Sequence, residues 1–302
     1  MNLKRLKNAL AKILVATRII DKMIVLRVDG GICSQMHFYL LGRIFAEKGY
    51  KVKYHLCWFK EFGHDMNGLF ARNFDLLKAF PSLEFKEASK VERYFYEAFK
   101  YNNNYLSKEI DQLDYLKITP PAYLTGYYWD PAFLYTDLLP KYFKPEEGIL
   151  DDKNMEIFEE IRKKDAPIAI HIRRGDLSTY NRGYGEPASN DYFKNAINYI
   201  DSKEDNTFYY LFSDEPDWVK SHLIHDLPIC DNYRIVDING SDKGYMDLYL
   251  MAACKHVITS KGSLGKYGAF MTLNDQKIII VMDDEVEHKK WQSVCKNIVF
   301  LK

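Results

Sequence analysis

The chain has 302 residues, which is too long for one ordinary hydrophobic core and suits two domains. Hydrophobic residues make up 47% and charged residues 28%, a composition typical of globular proteins. Lys plus Arg and Asp plus Glu both number 42, so the formal charge is zero. Bulk charge therefore argues against a nucleic-acid-binding protein, and any site for an anion must be local.

The cysteines indicate a reducing compartment, and we expect a cytoplasmic protein. They are odd in number, widely scattered and without a CxxC pair, at Cys33, Cys57, Cys230, Cys254 and Cys295. That pattern predicts neither a disulfide framework nor a zinc site, and no metal site is expected. No apolar run approaches the ~20 residues that a membrane span needs.

Residues 1–22 form a basic segment with apolar residues at helical spacing, MNLKRLKNALAKILVATRIIDK. The segment lacks the long apolar centre of a signal peptide. One interpretation is a helix that lies on an anionic membrane, at the inner face and in peripheral contact only. The other is a helix packed on the adjacent domain, or a frayed terminus.

The next elements predict a parallel α/β domain. A buried strand over residues 23–28 runs into the turn signal Asp29-Gly30-Gly31. A helical pattern follows and closes near Gly49, and residues 51–56 read as the next strand. Residues 57–145 show no clear periodicity. We expect an N-terminal, acceptor-side α/β domain over 23–150, with the polar, turn-prone segment 144–154 as the boundary.

The second half repeats the alternation of strand and helix. Strands are predicted over 168–172, 208–213, 256–260 and 277–282, with helices between them. A C-terminal α/β domain over 151–302 is therefore expected. The predicted fold class is α/β, with two doubly wound Rossmann-like domains facing across a cleft.

The stretch HIRRGD, residues 171–176, ends a predicted strand with two adjacent arginines. Ligands of open α/β sheets bind at the carboxyl ends of strands. Arg173 shares a strand face with His171, whereas Arg174 points the other way. The arginine fork matches phosphate oxygens, so Arg173 is predicted to contact a nucleotide diphosphate. We also expect Arg174 and Asp176 to form a structural ion pair that organises the loop, so that Asp176 is mainly structural.

Two further strand ends carry small or acidic residues. In LFSDEPDWVK, Asp214 is placed to cap a helix with Pro216 in its first turn; alternatively, Ser213 or Asp214 contacts a base or ribose. In ITSKGSLGKYGAF, a Ser/Gly loop precedes a helix whose backbone N–H groups could receive phosphate. Together the three loops predict a phosphate-bearing ligand, although none matches a Walker A or a full GxGxxG fingerprint. The predicted donor-binding residues are Arg173, Arg174, Asp176, Ser213, Asp214, Ser260, Gly262 and Ser263.

The order DGGxxxQM, HIRRGD, FSDEPDW, DLYLMAACKHVITSKGSLGKYGAF resembles the bacterial α-1,2-fucosyltransferases of glycosyltransferase family 11, over most of residues 24–300. The resemblance implies a GT-B-like pair of α/β domains. It implies inverting transfer of L-fucose from GDP-β-L-fucose to a galactose hydroxyl of a surface glycan, without a metal cofactor. By the same resemblance Arg173 holds the β-phosphate and, with His171, is a candidate catalytic residue. His171 and Asp176 would shape the donor loop, Asp214 would lie near the guanosine, and Ser263 would face the phosphates.

The acceptor-side loop departs from the family pattern. Its predicted members are Gly30, Gly31, Ser34 and Gln35, with Cys33 in place of the usual glycine and Ser34 in place of asparagine. We expect an altered acceptor pocket with Gln35 turned toward the cleft. The alternative is that residues 33 and 34 merely cap the following helix. The late loop also lacks the two tryptophans that the family usually has.

The catalytic base is not identified. Candidates by position alone are Asp29, His37, Glu61, His64 and Asp65. Two alternatives to the fucosyltransferase remain open: a transferase with another sugar donor or linkage, and a GDP-sugar-binding or glycan-binding homologue that has lost catalysis.

Overall fold

The computed structural model describes residues 3–65, 70–102, 117–126, 137–180, 186–272, 275–291 and 298–302. These residues form two compact units. The first takes its described residues from Met1–Leu77 and Ser82–Ala132, and the second from Lys78–Pro81 and Phe133–Lys302.

The first unit is built on a four-stranded parallel sheet in the order β2-β1-β6-β5. A short antiparallel pair, β3 and β4, lies apart from it. The strands are β1 (Ile24–Arg27), β2 (Val52–His55), β3 (His64–Asp65), β4 (Phe70–Ala71), β5 (Lys100–Asn102) and β6 (Ala122–Thr125). The helices are α1 (Leu3–Ala16), α2 (Ile32–Glu47), α3 (Cys57–Glu61), α4 (Leu76–Ala79), which runs across the division between the units, and α5 (Lys90–Tyr96).

The predicted strand, Gly turn, helix and strand are all present in this unit. β1 is central and apolar, and its residues Ile24, Val25 and Leu26 are fully buried, as expected of a parallel strand covered on both faces. Gly30 has φ +74° in the turn and Gly49 has φ +82° just after α2, both in the left-handed region that glycine adopts without steric cost.

The second unit is a six-stranded parallel sheet in the order β12-β11-β10-β7-β8-β9. Its strands are β7 (Ala166–Ile172), β8 (Thr207–Ser213), β9 (Tyr233–Val236), β10 (His256–Ile258), β11 (Ile279–Met282) and β12 (Ile298–Leu301). Its helices are α6 (Leu138–Tyr142), α7 (Asp152–Arg162), α8 (Gly175–Tyr180), α9 (Asn190–Asp201), α10 (Pro216–Ser221), α11 (Gly244–Ala253), α12 (Leu264–Met271) and α13 (Glu285–Trp291).

This strand order is that of a doubly wound Rossmann-like sheet. The first three strands run outward from β7 to β9, and the next three run the other way from β10 to β12. The order therefore reverses between β7 and β10, which is the point where ligands bind in such sheets. All seven residues of β7 are buried, so the strand that leads into HIRRGD is fixed in the core.

The segment expected to separate the domains packs with the second unit. Tyr249 donates its hydroxyl hydrogen to the Ala79 carbonyl at 2.6 Å, and the Phe80 ring packs against those of Phe143 and Tyr249, with centroids 4.9 and 5.8 Å away. Residues 137–150, assigned from the sequence to the first domain, thus lie with the second unit. The reason is that Phe143, which precedes the polar stretch, is fully buried in that core.

Within the residues that the structure describes, no helix has the length and apolar character needed to cross a bilayer. No disulfide joins the four cysteines in that part of the chain, and Cys295 lies outside the described residues.

Candidate functional site

The candidate site lies at the carboxyl ends of β7, β8 and β10. Arg173 follows β7, Asp214 follows β8 and Ser260 lies two residues beyond β10. Carboxyl ends of neighbouring parallel strands share one edge of the sheet, and β7 lies between β8 and β10. Three loops far apart in the sequence are thereby brought together, as the sequence predicts.

Arg173 is held in place by Asp176. The guanidinium donates from Nε to Oδ1 at 2.9 Å and from Nη2 to Oδ2 at 2.7 Å, a bidentate pair. The Asp176 side chain is almost completely buried, whereas that of Arg173 is 31% exposed. Because α8 starts at Gly175, the chain turns back at once and brings Asp176 beneath Arg173. The arrangement anchors one edge of a cation that still reaches solvent.

Arg174 points the other way, as strand alternation predicts, and contacts the loop after β8. Its Nε donates to Glu215 at 3.1 Å, and its guanidinium lies 3.5 Å from the ring centroid of Trp218. The proposed ion pair between Arg174 and Asp176 is therefore wrong. Asp176 is taken by Arg173, and Arg174 has its own acidic and aromatic partners, which sequence reasoning missed. The sequence EPDW, which begins at Glu215, two residues after β8 ends, is the pattern that could have indicated these partners.

Asp214 joins two of the loops rather than capping a helix. Its Oδ1 accepts from the backbone N–H of Arg174 at 2.9 Å, and Glu215 occupies the N-cap of α10, although its side chain makes no capping hydrogen bond to that helix. The predicted N-cap role of Asp214 is therefore wrong, although Pro216 does stand in the first turn. Burial raises the pKa of Asp214, opposed by backbone hydrogen bonds from Arg174 and Gly175. Ser213 accepts from the Glu215 N–H at 3.0 Å and so shapes the same turn.

His171 and Ser260 tie β7 to the loop after β10. Ser260 Oγ accepts from the Arg173 N–H at 2.9 Å and lies 3.3 Å from His171 Nδ1. Burial lowers the pKa of His171 to about 3, and the nearby cations of Arg173 and Lys266 add to the effect. The imidazole is therefore neutral at physiological pH. Through Ser260, the neutral His171 therefore helps to position the backbone of Arg173.

The glycines after β10 allow close approach to this pair. A Cβ at Gly262 would lie 2.6 Å from Arg173 Nη1, and one at Gly265 would lie 2.7 Å from His171 Cβ. Gly262 also has φ +93°. Ser263 stands at the N-cap of α12 with no side-chain cap bond, and Lys261 donates to Asp284 at 3.1 Å. The sequence analysis linked Gly262 to phosphate alone, whereas in the structure Gly262 and Gly265 also leave room for the side chains of Arg173 and His171.

The predicted acceptor-side loop is mostly the start of a helix. α2 begins at Ile32 with Gly31 as N-cap, so Cys33 and Ser34 lie inside its first turn. The interpretation that residues 33 and 34 cap the helix is therefore wrong. A Cβ at Gly31 would lie 3.5 Å from the guanidinium of Arg72.

Gln35 is fully buried and its amide is saturated by backbone groups. Nε2 donates to the carbonyls of Gly30 and Asn73 at 3.1 and 2.8 Å. Oε1 accepts from the N–H groups of Asp75 and Leu76 at 2.9 and 3.0 Å. The prediction that Gln35 turns toward a cleft is therefore wrong. Since the helix starts at Ile32, earlier than a cap at residues 33 and 34 would give, Gln35 lies on its buried face and bonds to the backbone at Gly30 and at residues 73–76.

The candidate bases stay unassigned. Asp29 is buried and paired with Arg27 at 3.2 Å, and His64 is exposed with Nδ1 2.9 Å from the Phe62 carbonyl. The side chain of Asp65 lies outside the described part of the chain. Among the described residues, no three or more His, Cys, Asp or Glu side chains are placed to hold a metal ion.

Two Rossmann-like units with parallel sheets place the protein in the GT-B-like class of α/β proteins. A family model described as Glycosyl transferase family 11 matches residues 72–300. The chain belongs to this family, which confirms the resemblance drawn from its motifs. The match includes all three strand-end loops and begins after α2.

Three named glycosyltransferases are similar to this chain in sequence. The chain is 21% identical over 285 residues to an α-1,2-colitosyltransferase of Escherichia coli, covering 90% of this chain and 95% of that protein. It is 24% identical over 163 residues to the O-antigen biosynthesis glycosyltransferase WbnK of Escherichia coli, covering 52% and 53%. It is 30% identical over 164 residues to a galactoside 2-α-L-fucosyltransferase of Caenorhabditis elegans, covering 50% and 43%. The chain thus matches about half the length of two of these relatives.

A solved structure shares the fold. The α-1,6-fucosyltransferase NodZ, co-crystallised with GDP, matches with a TM-score of 0.50 over 82% of this chain and 92% of its own, at 13% identity. This similarity confirms the predicted GT-B-like fold.

Proposed function

We propose that this glycosyltransferase moves L-fucose from GDP-β-L-fucose to a galactose hydroxyl, forming an α-1,2 linkage with inversion. The observation that carries the proposal is the anchored guanidinium of Arg173 at the switch point of the second unit. The relatives named as a colitosyltransferase and a fucosyltransferase, and the GDP of NodZ, support a GDP-sugar donor.

The proposed chemistry needs stabilisation of a leaving diphosphate. In an inverting transfer the galactose hydroxyl attacks the anomeric carbon on the face opposite GDP, the bond from that carbon to the diphosphate oxygen breaks with its electrons leaving on GDP, and the hydroxyl proton passes to water. Negative charge then grows on the β-phosphate. Arg173 would meet that charge with a preorganised fork, and the backbone N–H groups at the start of α12 would add donors. His171 and Asp176 position Arg173 in this scheme, and no base is assigned.

A second donor, an activated colitose, is favoured by one observation. The colitosyltransferase relative aligns with 90% of the chain, whereas the fucosyltransferase relative aligns with half of it. Both sugars suit the same diphosphate site, because the Arg173 contact concerns the nucleotide and not the sugar ring.

The test is a panel of GDP-fucose, GDP-colitose and GDP-mannose, with a β-galactoside acceptor and its 2-deoxy analogue. We expect GDP release and product with GDP-fucose, dependent on the acceptor 2-hydroxyl. Preference for GDP-colitose would replace the donor assignment, and transfer to the 2-deoxy acceptor would overturn the linkage.

The same panel, read by thermal shift, separates an enzyme from a binding protein. Donor at 100 times its Kd stabilises the fold by about 2.7 kcal/mol whether or not transfer follows. A shift with GDP-fucose in the absence of any GDP release would indicate a homologue that has lost catalysis.

A further inference from the structure

Helix α1 has one packed side and one exposed apolar side. Ala11 and Val15 are buried, and Val15 joins a cluster with Met23 and Tyr96 of the first unit. Four large apolar side chains of the same helix are instead exposed: Leu3 (85%), Leu6 (51%), Leu10 (44%) and Ile13 (57%). Their spacing of three or four residues places them along one stripe of the helix. We call these four residues the α1 stripe.

Helix α5 extends this apolar surface. Val91 and Tyr94 are 59 and 56% exposed, although both are large and apolar. The Lys7 ammonium of α1 lies 3.8 Å from the centre of the Tyr94 ring, so α1 and α5 present these residues side by side. Contiguous apolar exposure of this kind marks an interaction surface, since single exposed residues are ordinary but a patch is not.

The surface is flanked by positive charge, in a chain whose formal charge is zero. α1 contains no acidic residue, and both Arg5 and Lys12 are exposed on it. Residues 1–22 hold six basic residues and one acidic one, Asp21, which is bonded to Lys51. A partner that complements this surface therefore offers negative charge next to an apolar phase.

We propose that the α1 stripe, with Val91 and Tyr94, docks the protein on an anionic lipid bilayer. α1 would lie in the plane of the interface, with the stripe in the acyl boundary and the basic side chains among the headgroups. Both halves of the surface fit this partner, because an anionic bilayer places an apolar phase directly beneath a layer of negative charge. Docking on a bilayer is independent of the proposed sugar transfer, so it can be tested without any turnover.

The experiment is vesicle co-sedimentation of the full chain. Wild-type protein is mixed with phosphatidylcholine vesicles, or with vesicles of three parts phosphatidylcholine to one part phosphatidylglycerol. We expect binding to the anionic vesicles, weakened by high salt, and little binding to the neutral ones. Equal sedimentation with both compositions, or with neither, would overturn the proposal.

Two variants separate the apolar and electrostatic contributions. Leu6→Ser with Leu10→Ser shortens the stripe, and Arg5→Gln with Lys12→Gln removes two charges; each should lower anionic-vesicle partitioning on the order of tenfold or more. The matched control is Lys163→Gln with Lys203→Gln, two exposed lysines of the second unit, which should bind as wild type. Equal loss in the control would reduce the effect to net charge alone.

Another occupant of this surface would give a different outcome. If the stripe joins two copies of the chain, sedimentation velocity will show a dimer that Leu6→Ser with Leu10→Ser dissociates, without vesicle binding. Thermal melting of each variant confirms that it is folded. The charge variant alters only exposed side chains, so it tests the proposal even if the leucine variant melts early.

Discussion

Arg173 is the residue on which the proposed donor site depends. Arg173→Ala should reduce kcat/KM for GDP-fucose by a factor equivalent to about 2–4 kcal/mol, since one preorganised donor to the transition state is lost. Arg173→Lys should retain more kcat/KM than Arg173→Ala but less than wild type, because an ammonium cannot reproduce the bidentate fork. The assay is GDP release at low donor concentration.

Two controls separate this loss from misfolding. Arg162→Ala removes an exposed arginine whose partner is Glu159, and it should leave turnover unchanged. Arg173→Gln with Asp176→Asn removes both charges of the ion pair, so the buried Asp176 is not left as a lone carboxylate. Near-normal turnover of this double variant would rule out the proposed role of Arg173.

Gly262 and Gly148 provide a matched comparison. Both have positive φ, +93° and +77°, so alanine at either position should cost about 1–2 kcal/mol of backbone strain. Only at Gly262 would the new Cβ strike Arg173; nothing lies within 4 Å at Gly148. We expect GDP-fucose affinity to fall at least about tenfold in Gly262→Ala alone, because the guanidinium must move. Isothermal titration of both variants measures this, and equal affinities would show that the contact does not position the donor.

His171 should make the stability of the protein depend on pH. Its pKa in the folded protein is about 3, below the usual 6.5, so between these values the unfolded chain binds more protons. The neutral imidazole thus stabilises fully above pH 6.5, and this stability is lost as pH falls toward 3.

The measurement is urea unfolding of wild type and His171→Gln at several pH values. On going from pH 7 to pH 5, wild type should lose about 2 kcal/mol more unfolding free energy than the variant. Parallel pH curves for the two proteins would show that His171 is not buried as the neutral form.

At the scale of elements, Gln35 fixes the start of α2 to the 73–76 segment. Its four backbone bonds are buried, so Gln35→Leu should lower the unfolding free energy of the first unit by about 2–4 kcal/mol. Chemical denaturation measures this. Gln35→Glu keeps the shape but loses both donors, and it should be destabilised as well.

An acceptor role for Gln35 would look different. In that case Gln35→Leu would raise KM for the galactoside and leave the denaturation midpoint unchanged. That result would overturn the structural role.

The sequence predicted much of the second unit because its signals are local. An apolar strand followed by a loop and an amphipathic helix recurs there, and parallel strands align their carboxyl ends at one edge. The gathering of Arg173, Asp214 and Ser260 follows from that rule alone.

The pairings inside the site were not predictable in the same way. The carboxylate that pairs with Arg173 is decided by the residue at which α8 begins. The hydrophobic pattern of the sequence does not identify Gly175 as the start of that helix. The inward direction of the Gln35 side chain likewise depends on a helix start at Ile32, earlier than a cap at residues 33 and 34 would give. Between residues 57 and 102 the elements are two to seven residues long, too short for periodicity to emerge.

At the scale of the whole molecule, charge is arranged locally within a neutral chain. Arg173, Arg174 and Lys261 gather at one edge of the second sheet, each facing an acidic partner that fixes its direction. Cationic side chains fixed in this way can stabilise the negative charge of a leaving diphosphate without moving first. In other transferases a divalent cation provides this stabilisation.

We therefore expect turnover to be independent of divalent metal. GDP release from GDP-fucose in the presence of a galactoside should be equal in excess EDTA and in added Mg²⁺ or Mn²⁺. Donor binding, followed by thermal shift under the same conditions, should also be unchanged, because Arg173 and not a cation would contact the diphosphate. In Arg173→Ala, added Mg²⁺ should restore neither binding nor release, since the Arg173 fork and not a metal would make the lost contact. Activity that disappears on chelation and returns with Mg²⁺ would instead assign charge stabilisation to a metal, and Arg173 would then be left with a structural role beside Asp176.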